Sequence, residues 1–177
     1  MSRSARVDSK TCTSATRLVF GAALGAALTL LAACSASTPR AAGGGRAGLL
    51  VLEPDGTLKQ ACVQFDGTRT TGEDLLQRSG LAVSFDESNP MGALVCSIDH
   101  QGCDFPQQPC LCQCRTLGTC SYWAYFLLGQ DGKWVYSGQG ARGQVVRDGD
   151  VNAWAWLAGS HAPELPGMTF EEVCGQP

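Results

Sequence analysis

Five cysteines crowd into one eighteen-residue stretch of this chain, CDFPQQPCLCQCRTLGTC from Cys103 to Cys120. The stretch also holds Pro106, Pro109 and Gly118 and few large apolar side chains. Burial alone cannot fold such a segment, so covalent or metal cross-links must replace the missing core. Disulfides would each contribute ~2–4 kcal/mol in the loop-entropy account. Thiolates at the spacing Cys110-Leu-Cys112-Gln-Cys114 could instead hold zinc or copper(I). The paired CxxC elements of structural zinc sites, or one CxxC with paired His, are absent from the sequence. The choice between the two chemistries turns on the redox compartment.

The N-terminus speaks to that. Arg3, Arg6, Lys10 and Arg17 precede an apolar run from Leu18 to Ala33, which ends in Leu31-Ala32-Ala33-Cys34. A basic n-region, a short apolar h-region and small residues before a cleavage point describe a secretory signal. The sixteen-residue run falls short of the ~20 apolar residues a spanning helix needs. Its ending resembles the lipobox of bacterial lipoproteins, which implies that Cys34 is lipidated and becomes the first mature residue. The alternative is an uncleaved anchor helix. Either way the rest of the chain is expected on the extracytoplasmic face of the cell membrane. With Cys12 in the signal and Cys34 lipidated, Cys62, Cys96, Cys103, Cys110, Cys112, Cys114, Cys120 and Cys174 remain. An even number outside the cell reads as four disulfides, with 105 possible pairings.

Composition narrows the class. The net charge of −3 argues against a nucleic-acid binder, which would normally show a basic face. Of 13 Lys and Arg and 16 Asp and Glu, four basic residues and one acidic residue lie in the leader, so the chain from Cys34 onward is more acidic, at −6. Charged residues make up only 16% and there are 22 Gly, which argues against a coiled coil, while 44% hydrophobic residues suffice for one core. Length alone suggests one domain. The expected organisation is a signal peptide over 1–33, a tether over 34–47 and one domain over 48–177 with the Cys-rich insert 103–120. Ser35 to Gly48 (SASTPRAAGGGRAG) has no periodicity and reads as a flexible tether reaching roughly 20 Å.

Asp-Gly occurs at 55–56, 66–67, 131–132 and 148–149, and this dipeptide between apolar runs is a strong turn signal. The first turn predicts a hairpin of Gly48–Glu53 with Thr57–Phe65. Thr71 to Gly80 carries the main helix signal: Thr71 as cap, Glu73 and Asp74 in the first turn, Gly80 as stop. Strands are expected at Leu81–Phe85, Ala93–Ile98, Tyr122–Leu128, Lys133–Ser137, Gln144–Arg147 and Val151–Leu157. Thr169-Phe-Glu-Glu is a capping-box pattern for a short last helix. Hairpin, helix, then more strands is the order of a β-grasp, an α+β fold with one mainly antiparallel sheet around one helix.

All four Trp and all three Tyr lie between residues 122 and 156. Alternation along a strand places Trp123 with Tyr125, Trp134 with Tyr136, and Trp154 with Trp156. If the three strands are neighbours, these six rings form one aromatic surface. That surface is either the core of a small sheet or a stacking platform for a flat vitamin, a sugar or a peptide. Tyr122, Phe126, Val135, Ala155 and Leu157 fall on the other face. Both faces are then apolar, which suggests a partner over one of them.

Thr71-Gly-Glu-Asp-Leu-Leu76, Tyr122-Trp-Ala-Tyr125, Lys133-Trp-Val-Tyr136 with Gly138 and Gly140, and Asp148-Gly-Asp150 before Trp154 stand in a characteristic order. In this the chain resembles bacterial secreted domains related to the C-terminal domain of transcobalamin, over roughly Gly48 to Leu157. The resemblance implies a β-grasp fold and capture of a corrinoid or similar vitamin beside an uptake transporter. The large helical domain of transcobalamin is absent, and the Cys103–Cys120 insert departs from the pattern.

Catalytic patterns are missing: no HExxH, GxSxG or SxxK occurs. His100 and His161 sit in loop-like contexts and read as surface residues. Glu73 and Asp74 fit helix N-terminal electrostatics, and Asp148 with Asp150 fits a turn better than a calcium loop. The expectation is a non-catalytic, membrane-anchored binding module without a cofactor or resident metal. The alternatives are a cell-wall or carbohydrate-binding module, then a redox or metal-handling protein using the CxCxC stretch.

Overall fold

The computed structural model describes residues 43–90, 92–116, 119–159, 161 and 163–175. The signal run, Cys12 and the lipobox with Cys34 lie outside these residues. Strands β1 (Gly45–Leu52) and β2 (Leu58–Phe65) form the expected hairpin around the turn at Asp55-Gly56, where Gly56 has φ 87°. β3 (Arg69–Thr71) leads into α1 (Gly72–Arg78). β4 (Val83–Asp86), β5 (Leu94–Ile98) and β6 (Gln101–Gly102) follow, then β7 (Ser121–Leu128), β8 (Trp134–Tyr136), β9 (Val145–Arg147), β10 (Val151–Ala158) and α2 (Phe170–Cys174). The sequence had not marked β3 or β6, which are three and two residues long and carry no alternation to read.

The main sheet has the order β2-β1-β10-β7-β8. Its first and last long strands, β1 and β10, run parallel at the centre, and the remaining pairs are antiparallel. A mixed sheet with α1 packed on one face is the β-grasp-like α+β architecture. β3 pairs with β9, and β4, β5 and β6 form a small separate sheet.

α1 forms where the caps place it. The Thr71 hydroxyl accepts the Asp74 amide at 3.1 Å, and the Ser79 amide closes the other end on the Leu76 carbonyl. Leu75 and Leu76 are wholly buried against Leu49, Val51, Val63 and Phe65 of the sheet and Val95 and Ile98 of β5. Each such side chain, once buried, stabilises the fold by about 1.5–3 kcal/mol.

The opposite face is apolar too: Leu50, Val151 and Ala153 with Leu58, Phe126, Leu128 and Trp134. The chain's own C-terminal segment lies there through Leu165, Met168, Phe170 and Val173, so this part of the second apolar face is covered from within the chain. α2 has the capping box that Thr169 and Glu172 announced. It sits close enough that a Cβ on Gly48 would meet Val173 at 3.2 Å.

β1 starts at Gly45, three residues ahead of the domain boundary expected at 48, so 45–47 belong to the sheet rather than to a tether. Gly45 faces Phe65 across the hairpin, and the Phe65 ring occupies the space a side chain at 45 would take. A run of glycines reads as linker from composition, yet here a cross-strand aromatic ring covers the last of them.

All eight cysteines pair, as Cys62–Cys174, Cys96–Cys110, Cys103–Cys112 and Cys114–Cys120. The first links β2 to α2 across 112 residues, and the other three staple the insert at separations of 14, 9 and 6. Cys110, Cys112 and Cys114 each belong to a different bridge, so the CxCxC stretch presents no set of thiolates. His100 and His161 are both exposed, and Asp148 and Asp150 accept the Arg46 and Arg147 amides in the β9–β10 turn region.

A candidate ligand cleft at a notch in the sheet edge

β7 is eight residues long, but its outer neighbour β8 has only three. The Ser137 amide makes the last rung of their ladder, to the Tyr125 carbonyl at 2.8 Å, and the chain then turns away through Gly138-Gln139-Gly140. The Tyr122–Tyr125 part of β7 is left without an outer strand. A cleft of about 340 Å³ occupies this notch, bounded by the 137–141 loop on one side and by Asn89 and residues 92–95 on the other.

The walls are held from several directions. Gly92 lies at φ 107°, and a Cβ there would stand 3.2 Å from the Gly140 Cα, so the two loops approach backbone to backbone. The 137–144 loop is fastened to the start of α1: the Glu73 and Gly72 amides donate to the Ala141 and Gln144 carbonyls, each at 3.1 Å. Arg142 adds two hydrogen bonds to the buried Glu73 carboxylate and an ion pair to Glu87 at 3.2 Å. Glu73 is thus a structural anchor.

Strand register decides the aromatic residues, and it divides them. Trp154 faces Tyr125 and Trp156 faces Trp123, so these four share the α1 side of the sheet. Tyr136 faces Phe126 and Trp134 faces Leu128, so this pair lies on the other side, and Val135 takes the side where Trp134 and Tyr136 were expected. The six rings therefore do not make one surface, which corrects the sequence expectation. The sequence fixes alternation within each strand but not the phase between strands.

Burial then separates their roles. Trp154 is fully buried, Trp123 is 3% exposed and Tyr125 7%. Tyr125 stacks on Trp154 at 4.2 Å and 15°, and its hydroxyl donates to the Asn152 Oδ1 at 2.6 Å. Trp123 donates its indole N–H to the Gln101 carbonyl and meets Trp156 edge-on. Trp134, half-buried, donates to the Pro166 carbonyl and so pins the C-terminal segment. Four of the six candidates, Trp123, Tyr125, Trp154 and Tyr136, touch the cleft, whereas Trp134 and Trp156 do not.

Tyr136 is 53% exposed and stands at the cleft. Its hydroxyl lies 3.5 Å from that of Tyr122, and its ring meets Phe126 edge-on. Partial burial, then the neighbouring Tyr122 hydroxyl, push its pKa up to about 12. Burial raises Tyr125 further, aided by the Asp150 charge. Both phenols are neutral at physiological pH and serve as hydrogen-bonding groups. Among the described residues that line the cleft none is charged; Asn89, Ser137 and Gln139 supply amide and hydroxyl groups. Ser137 and Gln139 were missed from sequence, although the alternating glycines of Ser-Gly-Gln-Gly are the signal of a loop that exposes its backbone.

No family model matches the chain, and no curated protein matches it either. Among solved structures it is similar to a candidate metal-binding protein from Ruminococcus gnavus, with 17% identity over 65% of this chain and 98% of that one, TM-score 0.47. It is also similar to haptocorrin in complex with Cbi, with 14% identity over 66% of this chain, TM-score 0.45. The match spans only 25% of the haptocorrin chain. Neither likeness assigns a ligand to this chain.

Proposed function

We propose that this protein is a non-catalytic ligand-binding module, held on the extracytoplasmic face of the cell membrane through lipidated Cys34. The observation that carries the reading is the half-exposed Tyr136 ring at the mouth of an uncharged cleft whose floor is rigid stacked aromatic core. An apolar pocket with a few polar groups is the usual form of a small-molecule site. The ligand class is a flat vitamin such as a corrinoid, passed to an uptake transporter. A cleft near the lower end of the usual ~300–1,000 Å³ takes one edge of a corrin ring, leaving the rest for a transporter to grip.

A carbohydrate or cell-wall reading is the alternative, favoured by the same exposed ring, because tyrosine stacks equally well on a sugar face. The test is titration of the mature protein with corrinoids and with oligosaccharides, followed by tryptophan fluorescence. Tyr136→Ala should abolish the response while leaving the melting temperature within a few degrees, since its ring is half in solvent. Full retention of binding in that variant removes the cleft from the function. Cys34→Ser, in turn, should release the protein from the membrane and end metabolic fatty-acid labelling; unchanged retention and labelling would refute the anchor.

A further inference from the structure

We infer that the cleft selects uncharged ligands, taking a ring rimmed with carboxamides or hydroxyls and rejecting the same ring rimmed with carboxylates. The inference rests on the ligand-binding reading of this cleft and names the chemistry it accepts. Among the described residues, the lining carries no Lys, Arg, His, Asp or Glu. The cation closest in sequence to the lining, Arg142, is already satisfied by Glu73 at 2.8 Å and Glu87 at 3.2 Å. The polar side chains of the lining are all neutral: the Tyr122 and Tyr136 hydroxyls, the Asn89 and Gln139 amides, and the Ser137 hydroxyl, which is held by the Gln139 backbone.

A carboxylate or phosphate entering such a place loses water and gains no counter-charge, and burying an unpaired charge is strongly unfavourable. The net charge of −6 from Cys34 onward adds repulsion at longer range. An amide or hydroxyl edge meets no such penalty. It can exchange hydrogen bonds with tyrosine hydroxyls, with the Gln139 side-chain amide and with the backbone that Gly138 leaves uncovered by a side chain.

The experiment uses two matched pairs against the full mature chain at neutral pH. One is dicyanocobinamide, a corrinoid rimmed with carboxamides, against dicyanocobyrinic acid, the same ring rimmed with carboxylates. The other is cellobiose against cellobiouronic acid. The neutral member of at least one pair should bind at least tenfold more tightly than its acid, with little dependence on salt. Gln139→Lys, which places a cation on the exposed loop, should raise affinity for the acid at least tenfold. If the saccharide pair behaves this way and the corrinoid pair does not bind, the selectivity stands and the corrinoid reading falls. If an acid binds as well as its neutral partner, the inference is overturned while the ligand-binding reading survives. If none of the four binds, both fall.

Discussion

Arg142 grips Glu73 with two hydrogen bonds, Nε to Oε2 at 2.8 Å and Nη2 to Oε1 at 3.0 Å, across 69 residues of sequence. This fork joins the loop that walls the cleft to the first turn of α1. Because Glu73 is buried, losing its partner leaves a carboxylate with neither water nor cation.

Arg142→Met should therefore lower the melting temperature by a few degrees and loosen the 137–144 loop. Hydrogen exchange at Ala141 to Gln144 would report the loosening. Glu73→Gln in the Arg142→Met background should recover part of the loss, because the buried charge is then gone. Absence of that recovery would mean that the fork is only a surface contact.

The two most buried tryptophans should respond differently to phenylalanine. The Trp123 indole N–H has an acceptor at 2.8 Å, whereas the buried Trp154 N–H has none among the described residues. Trp123→Phe forfeits a hydrogen bond worth about 1 kcal/mol, and Trp154→Phe forfeits none. Urea denaturation should find Trp154→Phe the more stable variant by about that amount. Trp154→Ala should cost ~3–5 kcal/mol, since it opens a cavity beneath Tyr125.

The bridges differ in the loops they close. On the chain-entropy estimate, Cys62–Cys174, at a sequence separation of 112, contributes about 5 kcal/mol, and Cys114–Cys120, at a separation of 6, about 2 kcal/mol. Thermal melting of the Cys62→Ser/Cys174→Ser double variant should show much the larger loss. That variant should also bind a hydrophobic dye, because its C-terminal segment is no longer tied over the apolar face. Equal losses in the two double variants would place the stabilisation outside loop closure.

Acid stability should depend on one carboxylate in the hairpin turn between β5 and β6. The Lys59 ammonium donates to Asp99 at 2.6 Å and the Ala82 amide at 2.8 Å, and the lysine bond chiefly holds the Asp99 carboxyl below its usual range. A depressed carboxyl contributes fully above its unfolded value of about 3.9 and loses that contribution as pH falls through the lower folded value. Lys59 is shifted the other way, upward, first by Asp99 and then by Glu53, so its share is lost only as pH rises through a value above the ordinary lysine range. Asp99→Asn should flatten the acid limb of a stability-against-pH curve below about pH 4. An unchanged limb would assign acid sensitivity elsewhere.

What the sequence by itself determined is local. Asp-Gly turns, the Thr71 cap and Gly80 stop, the Thr169–Glu172 box and the alternation of apolar residues each act within a few residues, so both helices and every strand but β3 and β6 are legible close to their true bounds. The even number of cysteines likewise indicated four bridges without saying which. Only the tertiary structure decided what depends on distant partners. It alone settled that Gly45 lies under Phe65 rather than in a tether, that Leu165 to Val173 cover the second apolar face, and that the six rings divide four and two. The cleft belongs to this class, because it exists only where β8 stops short beside a longer β7. Strand phase, edge length and loop docking are set by packing between segments far apart in the chain, and no local pattern records them.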